Sequence, residues 1–211
     1  MAGDRRPLLV GGGRALRIVA VFMAAGLASI ARLYAQLPHP VSLEEVGVGS
    51  VPGVQFQGTD YYNWSGYDVC AAGDVNADGL ADVLIGAPHA GTDPPCCSGK
   101  AHLVFGSVSM AGSIVLGSLS GNGGVSFDGI DPSDSTGLSV SSAGDVNGDG
   151  FADLLIGAPG DVLNPPTGVT GRAFLVYGSA SGTGGGGALD LSTLDGTNGV
   201  RLNGIGDEDR S

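Results

Sequence analysis

The chain has 211 residues, enough for one ordinary domain, and its 42% hydrophobic content can build a core, while 40 glycines and 11 prolines point to many turns and short elements. Residues before Pro38 hold five of the nine basic groups and a single acid, so the remainder carries four basic and 20 acidic groups. Such a surface repels nucleic-acid phosphates and anionic lipid and attracts cations, which argues against a nucleic-acid partner.

In chain order, residues 1–37 follow the plan of a secretory signal. Arg5, Arg6, Arg14 and Arg17 lead into the 13-residue apolar run Ile18–Ile30, and the small-residue site Leu33-Tyr34-Ala35 follows. The run is short for crossing a bilayer, so no stable membrane span is expected and the chain is read as secreted, extracellular or displayed at the cell surface. An uncleaved N-terminal anchor or a buried helix is the alternative. Residues 38–52 read as a leader, either the mature N-terminus or part of an edge strand. Cys70, Cys96 and Cys97 leave an odd thiol over. The second repeat has Ser141 where Cys70 stands, so no fold-wide disulfide framework is implied. Neither a Cys-x-x-Cys spacing nor a histidine pair accompanies them, which leaves zinc without a ligand set.

From Gly53 to Ser211 the chain repeats. Gly53–Gly58 and Gly124–Gly129 share one pattern 71 residues apart, and Gly199–Gly204 carries it a third time. Gly99–Gly106 pairs in the same way with Gly171–Gly178. Each unit reads as four short strands bounded by Gly, Pro, Asn and Asp, and no sustained helical periodicity follows Pro38. Val83-Leu84-Ile85 and Leu154-Leu155-Ile156 are apolar at consecutive positions, as in a strand covered on both faces. Ser179–Ala188, with its glycine run, reads as a flexible loop. The fold class is therefore all-β, with four-stranded blades of a β-propeller. Propellers need about four to eight blades, and the sequence supplies two units and the start of a third. The chain is expected to be the N-terminal part of a longer product, with further blades in the same chain.

Before each apolar strand stands an acidic loop. Counting from Asp74, positions 1, 3, 5 and 9 are Asp74, Asn76, Asp78 and Asp82; in the second copy they are Asp145, Asn147, Asp149 and Asp153. Position 6 is glycine, Gly79 or Gly150, which lets the chain turn at positive φ. Position 7, Leu80 or Phe151, offers a backbone carbonyl. Alternating carboxylate and amide oxygens in a tight loop suit a hard cation, and calcium takes about six to eight oxygens. Magnesium prefers to keep its waters. An EF-hand opens similarly, but it needs a Glu at position 12 and flanking helices. Here position 12 is Ile85 or Ile156 and the flanks are strands. Solvated Asx-turns favour the same residue types. Two copies keeping Asp at 1, 5 and 9 favour the cation, which relieves the repulsion among the clustered carboxylates.

These residues resemble the FG-GAP repeats of the integrin alpha-chain β-propeller, a likeness that runs from Gly53 to Ser211. The Asp-x-Asn-x-Asp-Gly-x-x-Asp loop, apolar strand and Gly-Ala-Pro stop carry it. The aromatic of the Phe-Gly pair is replaced, leaving Ser65-Gly66 and Thr136-Gly137. The resemblance implies a propeller with structural Ca2+ in hairpin loops on one face, held by the positions just named, and a role in adhesion or in binding an extracellular protein or glycan. An accessory, non-catalytic propeller of an extracellular hydrolase, phospholipase D-like or carbohydrate-active, is the alternative. The chain is not read as an enzyme: it lacks Gly-x-Ser-x-Gly and His-Glu-x-x-His. Asn63-Trp64-Ser65 makes Asn63 a candidate glycosylation acceptor.

Overall fold

A computed structural model describes residues 46–47, 52–59, 62–91, 98–160, 171–183 and 187–204, together with the backbone of 17–20. Short runs rich in Val, Leu, Ile and Phe, each ended by glycine or a turn, form strands. In chain order these are β1 (Arg17–Ala20), β2 (Val54–Gln57), β3 (Val69–Gly73), β4 (Asp82–Ala87), β5 (Lys100–Val104), β6 (Gly112–Val115), β7 (Gly124–Asp128), β8 (Ser139–Gly144), β9 (Asp153–Ala158), β10 (Arg172–Val176), β11 (Gly187–Asp190) and β12 (Gly199–Asn203). No α-helix occurs among the described residues.

The strands form three sheets, ordered β1-β2-β6, β11-β7-β5-β4-β3 and β12-β10-β9-β8. The second and third each contain the expected four antiparallel strands. Beyond the four, β11 leaves its own repeat and pairs parallel with β7, as β6 does with β2. Gly187 and Ala188, read above as the end of a flexible loop, are thus the first residues of a strand. The reason is non-local: β11 is only four residues long, and it finds its hydrogen-bond partner in the preceding blade. These parallel strands lace each blade to its neighbour. The fold is all-β, a partial β-propeller. β1 falls inside the segment read as a secretory signal and pairs antiparallel with β2. The rest of that segment, most of the leader, and Cys96 and Cys97 lie outside the described residues.

Packing follows from the alternation along β4. Leu84 joins a core between the second and third sheets with Phe127, Leu154, Ile156 and Phe174. Its neighbours Val83 and Ile85 face the other way, into a core with Val104 of β5, Val54 and Phe56 of β2 in the first sheet, and Leu116 just after β6. Three consecutive apolar residues are therefore buried on two faces, as the sequence predicts. In β9 the residue matching Leu84 is Leu155, and it is 39% exposed, because no described sheet covers that side. The blades approach closely at paired glycines. A Cβ on Gly86 would collide with the Gly137 carbonyl, and one on Gly137 with the Lys100 carbonyl.

The layer between the first two sheets buries an imidazole. His102 on β5 is buried, and its Nδ1 lies 2.8 Å from Ser126 Oγ on β7. Burial holds its pKa down to about 4; Lys100 pushes the same way and Asp128 opposes. The unfolded imidazole takes up its proton near 6.5, well before the native one. The unfolded state then binds more protons between those values, so stability falls as pH is lowered through that window. The expected loss is about 3 kcal/mol, read as a falling urea midpoint that His102→Phe flattens.

Candidate metal centre

Each acidic loop closes a hairpin, β3 to β4 and β8 to β9, and each hairpin has a bulge at its loop end, between Ala71 and Gly73 or between Ser142 and Gly144. The bulge turns the chain so that position 1 faces back across the loop. Gly79 and Gly150 take φ of 84° and 92°, as position 6 requires. At position 4 the first loop holds Ala77 at φ 55°, where the second has Gly148 at 78°.

The two loops repeat one hydrogen-bond pattern. Asp74 Oδ1 accepts from the Asp78 N–H at 3.0 Å and Oδ2 from the Gly79 N–H at 2.8 Å. Asp145 accepts from the Asp149 and Gly150 N–H groups at 3.0 and 2.9 Å. Asn76 Oδ1 accepts from the Asp78 N–H, Asn76 Nδ2 donates to Asp78 Oδ2, and Asp78 Oδ1 accepts from the Leu80 N–H. Asn147, Asp149 and Phe151 repeat all three contacts. Positions 1, 3 and 5 are exposed in the second loop, whereas in the first Asp78 is exposed and Asp74 and Asn76 are half-buried; each sequence-derived set is gathered into one turn.

Position 9 behaves differently. Asp82 and Asp153 are fully buried, with both oxygens engaged by backbone. Asp82 Oδ2 accepts from the Val75 N–H at 2.9 Å and Oδ1 from the Gly106 N–H at 2.8 Å. Asp153 accepts from Val146 at 2.7 Å and Gly178 at 2.9 Å. Burial pushes the Asp82 carboxyl up, the two amide bonds pull it down, and the charges of Asp78 and Asp74 add to the rise. Gly106 and Gly178 were legible only as the ends of matching strands. Their role is close approach: a Cβ there would lie 2.6 Å from the Ala81 carbonyl oxygen or 2.5 Å from that of Ala152.

The donor chemistry fits a hard divalent cation: three carboxylates, an amide oxygen and a backbone carbonyl per loop, with no lysine or arginine paired to them among the described residues. A carboxylate oxygen that accepts one N–H keeps a lone pair for a metal. Among the described residues no three Asp, Glu, His or Cys side chains form a closed cage. Amide hydrogen bonds hold the loops instead, and Asp82 and Asp153 face backbone on one side. The first loop also sits at a blade junction, since the Asp74 and Val75 carbonyls accept from the Ala152 and Ser179 N–H groups of the next unit at 3.1 and 3.0 Å.

Asn63 is buried, and its Nδ2 donates to Thr59 Oγ1 at 3.4 Å, so little of the amide faces solvent for a glycan. No helix among the described residues is long and apolar enough to cross a membrane.

Laced four-stranded blades with acidic hairpin loops define a propeller module. The FG-GAP repeat model matches residues 65–103 and 136–188, each match starting just before the strand that leads into an acidic loop. Similar proteins include human integrin alpha-6, 30% identical over 127 residues, which is 60% of this chain and 10% of that protein. Integrin alpha pat-2 of Caenorhabditis elegans is 32% identical over 105 residues, 48% of this chain and 8% of that one. Integrin alpha-PS2 of Drosophila melanogaster is 34% identical over 123 residues, 58% and 8%. The chain thus aligns with at most a tenth of these relatives' length. The chain carries two FG-GAP repeats and over them is similar to integrin alpha chains.

Proposed function

We propose that the chain is a secreted or cell-surface, calcium-binding propeller module that mediates adhesion by binding an extracellular protein or glycan, with no catalytic role. The supporting observation is the doubled loop: two sets of the same donors in the same hydrogen-bond pattern, the first seated where neighbouring blades meet. Asp74, Asn76, Asp78, Asp82 and the Leu80 carbonyl would hold one ion; Asp145, Asn147, Asp149, Asp153 and the Phe151 carbonyl would hold the other. The ion's work is structural, neutralising clustered carboxylates and stiffening the hairpins. Calorimetric titration of the full chain with calcium tests this. Uptake at both loops is expected, and Asp78→Ala with Asp149→Ala should abolish it. Heat unchanged by that double substitution would sink the assignment.

A further inference from the structure

The layer between the first and second sheets is packed unlike its counterpart between the second and third. In the latter, Phe174 on β10 is fully buried. The matching residue on β5 is His102, and beside it lies a cavity of about 510 Å3 walled by β5, β7 and β11 and by turns near Thr59 and Gly117. Register builds its polar wall. Lys100 stands opposite Asp128, His102 opposite Ser126, and Asp190 of β11 flanks Asp128. Lys100 Nζ reaches Asp128 Oδ1 at 2.6 Å, and His102 bonds Ser126. Burying the His102 imidazole where the sister blade buries a phenylalanine costs free energy, and a packed core does not need it.

Stacked rings adjoin two of the lining residues in sequence. Asn63 and Ala90 line the cavity, and the residues beside them, Trp64 and His89, stack with ring centroids 3.8 Å apart. Tyr67 also stacks on Trp64, with centroids 5.9 Å apart and the ring planes 12° from parallel. Trp64 takes φ 51°, a left-handed conformation costly for a bulky residue, while Tyr67 is 53% exposed. The second repeat has Ser135, Leu138 and Gly160 at the three ring positions, so it lacks the stack.

We propose that the cavity binds a sugar residue, a neutral polyhydroxylated ring, with Lys100, His102, Ser126, Asp128 and Asp190 meeting its hydroxyls. Hydroxyls donate and accept, as the mixed wall requires. The Lys100 charge is already taken by Asp128, and Asp190 adds a negative one, which disfavours an anion. The volume lies within the range of about 300–1,000 Å3 usual for small-ligand sites. This inference rests on the ligand-binding reading above and names its ligand class, but it makes no use of the acidic loops at the other end of β4.

Saturation-transfer NMR and calorimetry on the full chain, with D-glucose, D-galactose, D-mannose and N-acetyl-D-glucosamine as probes, test it. Saturable binding of at least one sugar is expected, weakened about tenfold or more by His102→Phe, which gives β5 the residue that β10 carries. Ser126→Ala, which removes a hydroxyl of the lining, should weaken it as well, and it carries the test if His102→Phe lacks a native near-UV spectrum. Failure of every probe to saturate, or binding untouched by both substitutions, overturns the proposal. A calcium titration of the same samples separates the two readings. Calcium uptake without sugar binding removes the cavity site and leaves the calcium module standing; sugar binding without calcium uptake does the reverse.

Discussion

Excess chelator is expected to lower the melting temperature by about 10–20 °C. A ligand at about 100 times its Kd stabilises the native state by about 2.7 kcal/mol per site, and the protein has two loops of the same design. For a domain of this size each kcal/mol moves Tm by about 2–4 °C. The Asp78→Ala/Asp149→Ala variant should melt near the chelated temperature whether or not calcium is present, because those side chains are exposed and do little else for the fold. Equal melting curves with calcium and with chelator would remove the structural role of the ion.

The second large effect falls on position 9. Asp153→Ala removes a buried carboxylate whose two oxygens accept from the Val146 and Gly178 N–H groups, leaving both donors without partners. Hydrogen bonds to charged groups are worth about 1.5–3 kcal/mol each, so the expected loss is about 3–5 kcal/mol. Urea unfolding in chelator isolates this from any metal contribution. Under the same conditions Asp149→Ala should cost less than about 1 kcal/mol, and Asp153→Asn, which keeps one acceptor oxygen, should fall between. An Asp153→Ala midpoint equal to that of wild type would show that the carboxylate does not anchor the hairpin. Asp82→Ala should behave alike through Val75 and Gly106.

Much of this was readable from the chain itself. Asp, Asn and Gly at fixed offsets dictate the hairpin loop locally, and the three-residue apolar run of β4 is buried on two faces as its pattern implies, so the blades and candidate ligands could be placed from residue type and spacing. What escaped depends on distant partners. β11 is a four-residue strand after a glycine run, and only its pairing with β7, more than 50 residues earlier, makes it a strand. The cavity escaped for the same reason, because Lys100 and His102 meet Asp128 and Ser126 only through the register of β5 with β7. The anchoring of Asp82 on Gly106 joins residues 24 apart; its one sequence signal was a glycine recurring at Gly178.

The most direct test is crystallographic: crystals grown in calcium and measured at a wavelength where calcium scatters anomalously. One peak inside each loop is expected, at about 2.3–2.6 Å from oxygens of the Asp74–Asp82 and Asp145–Asp153 sets. Two loops held only by their amide hydrogen bonds, with no peak in either, would contradict the ion's place in this fold.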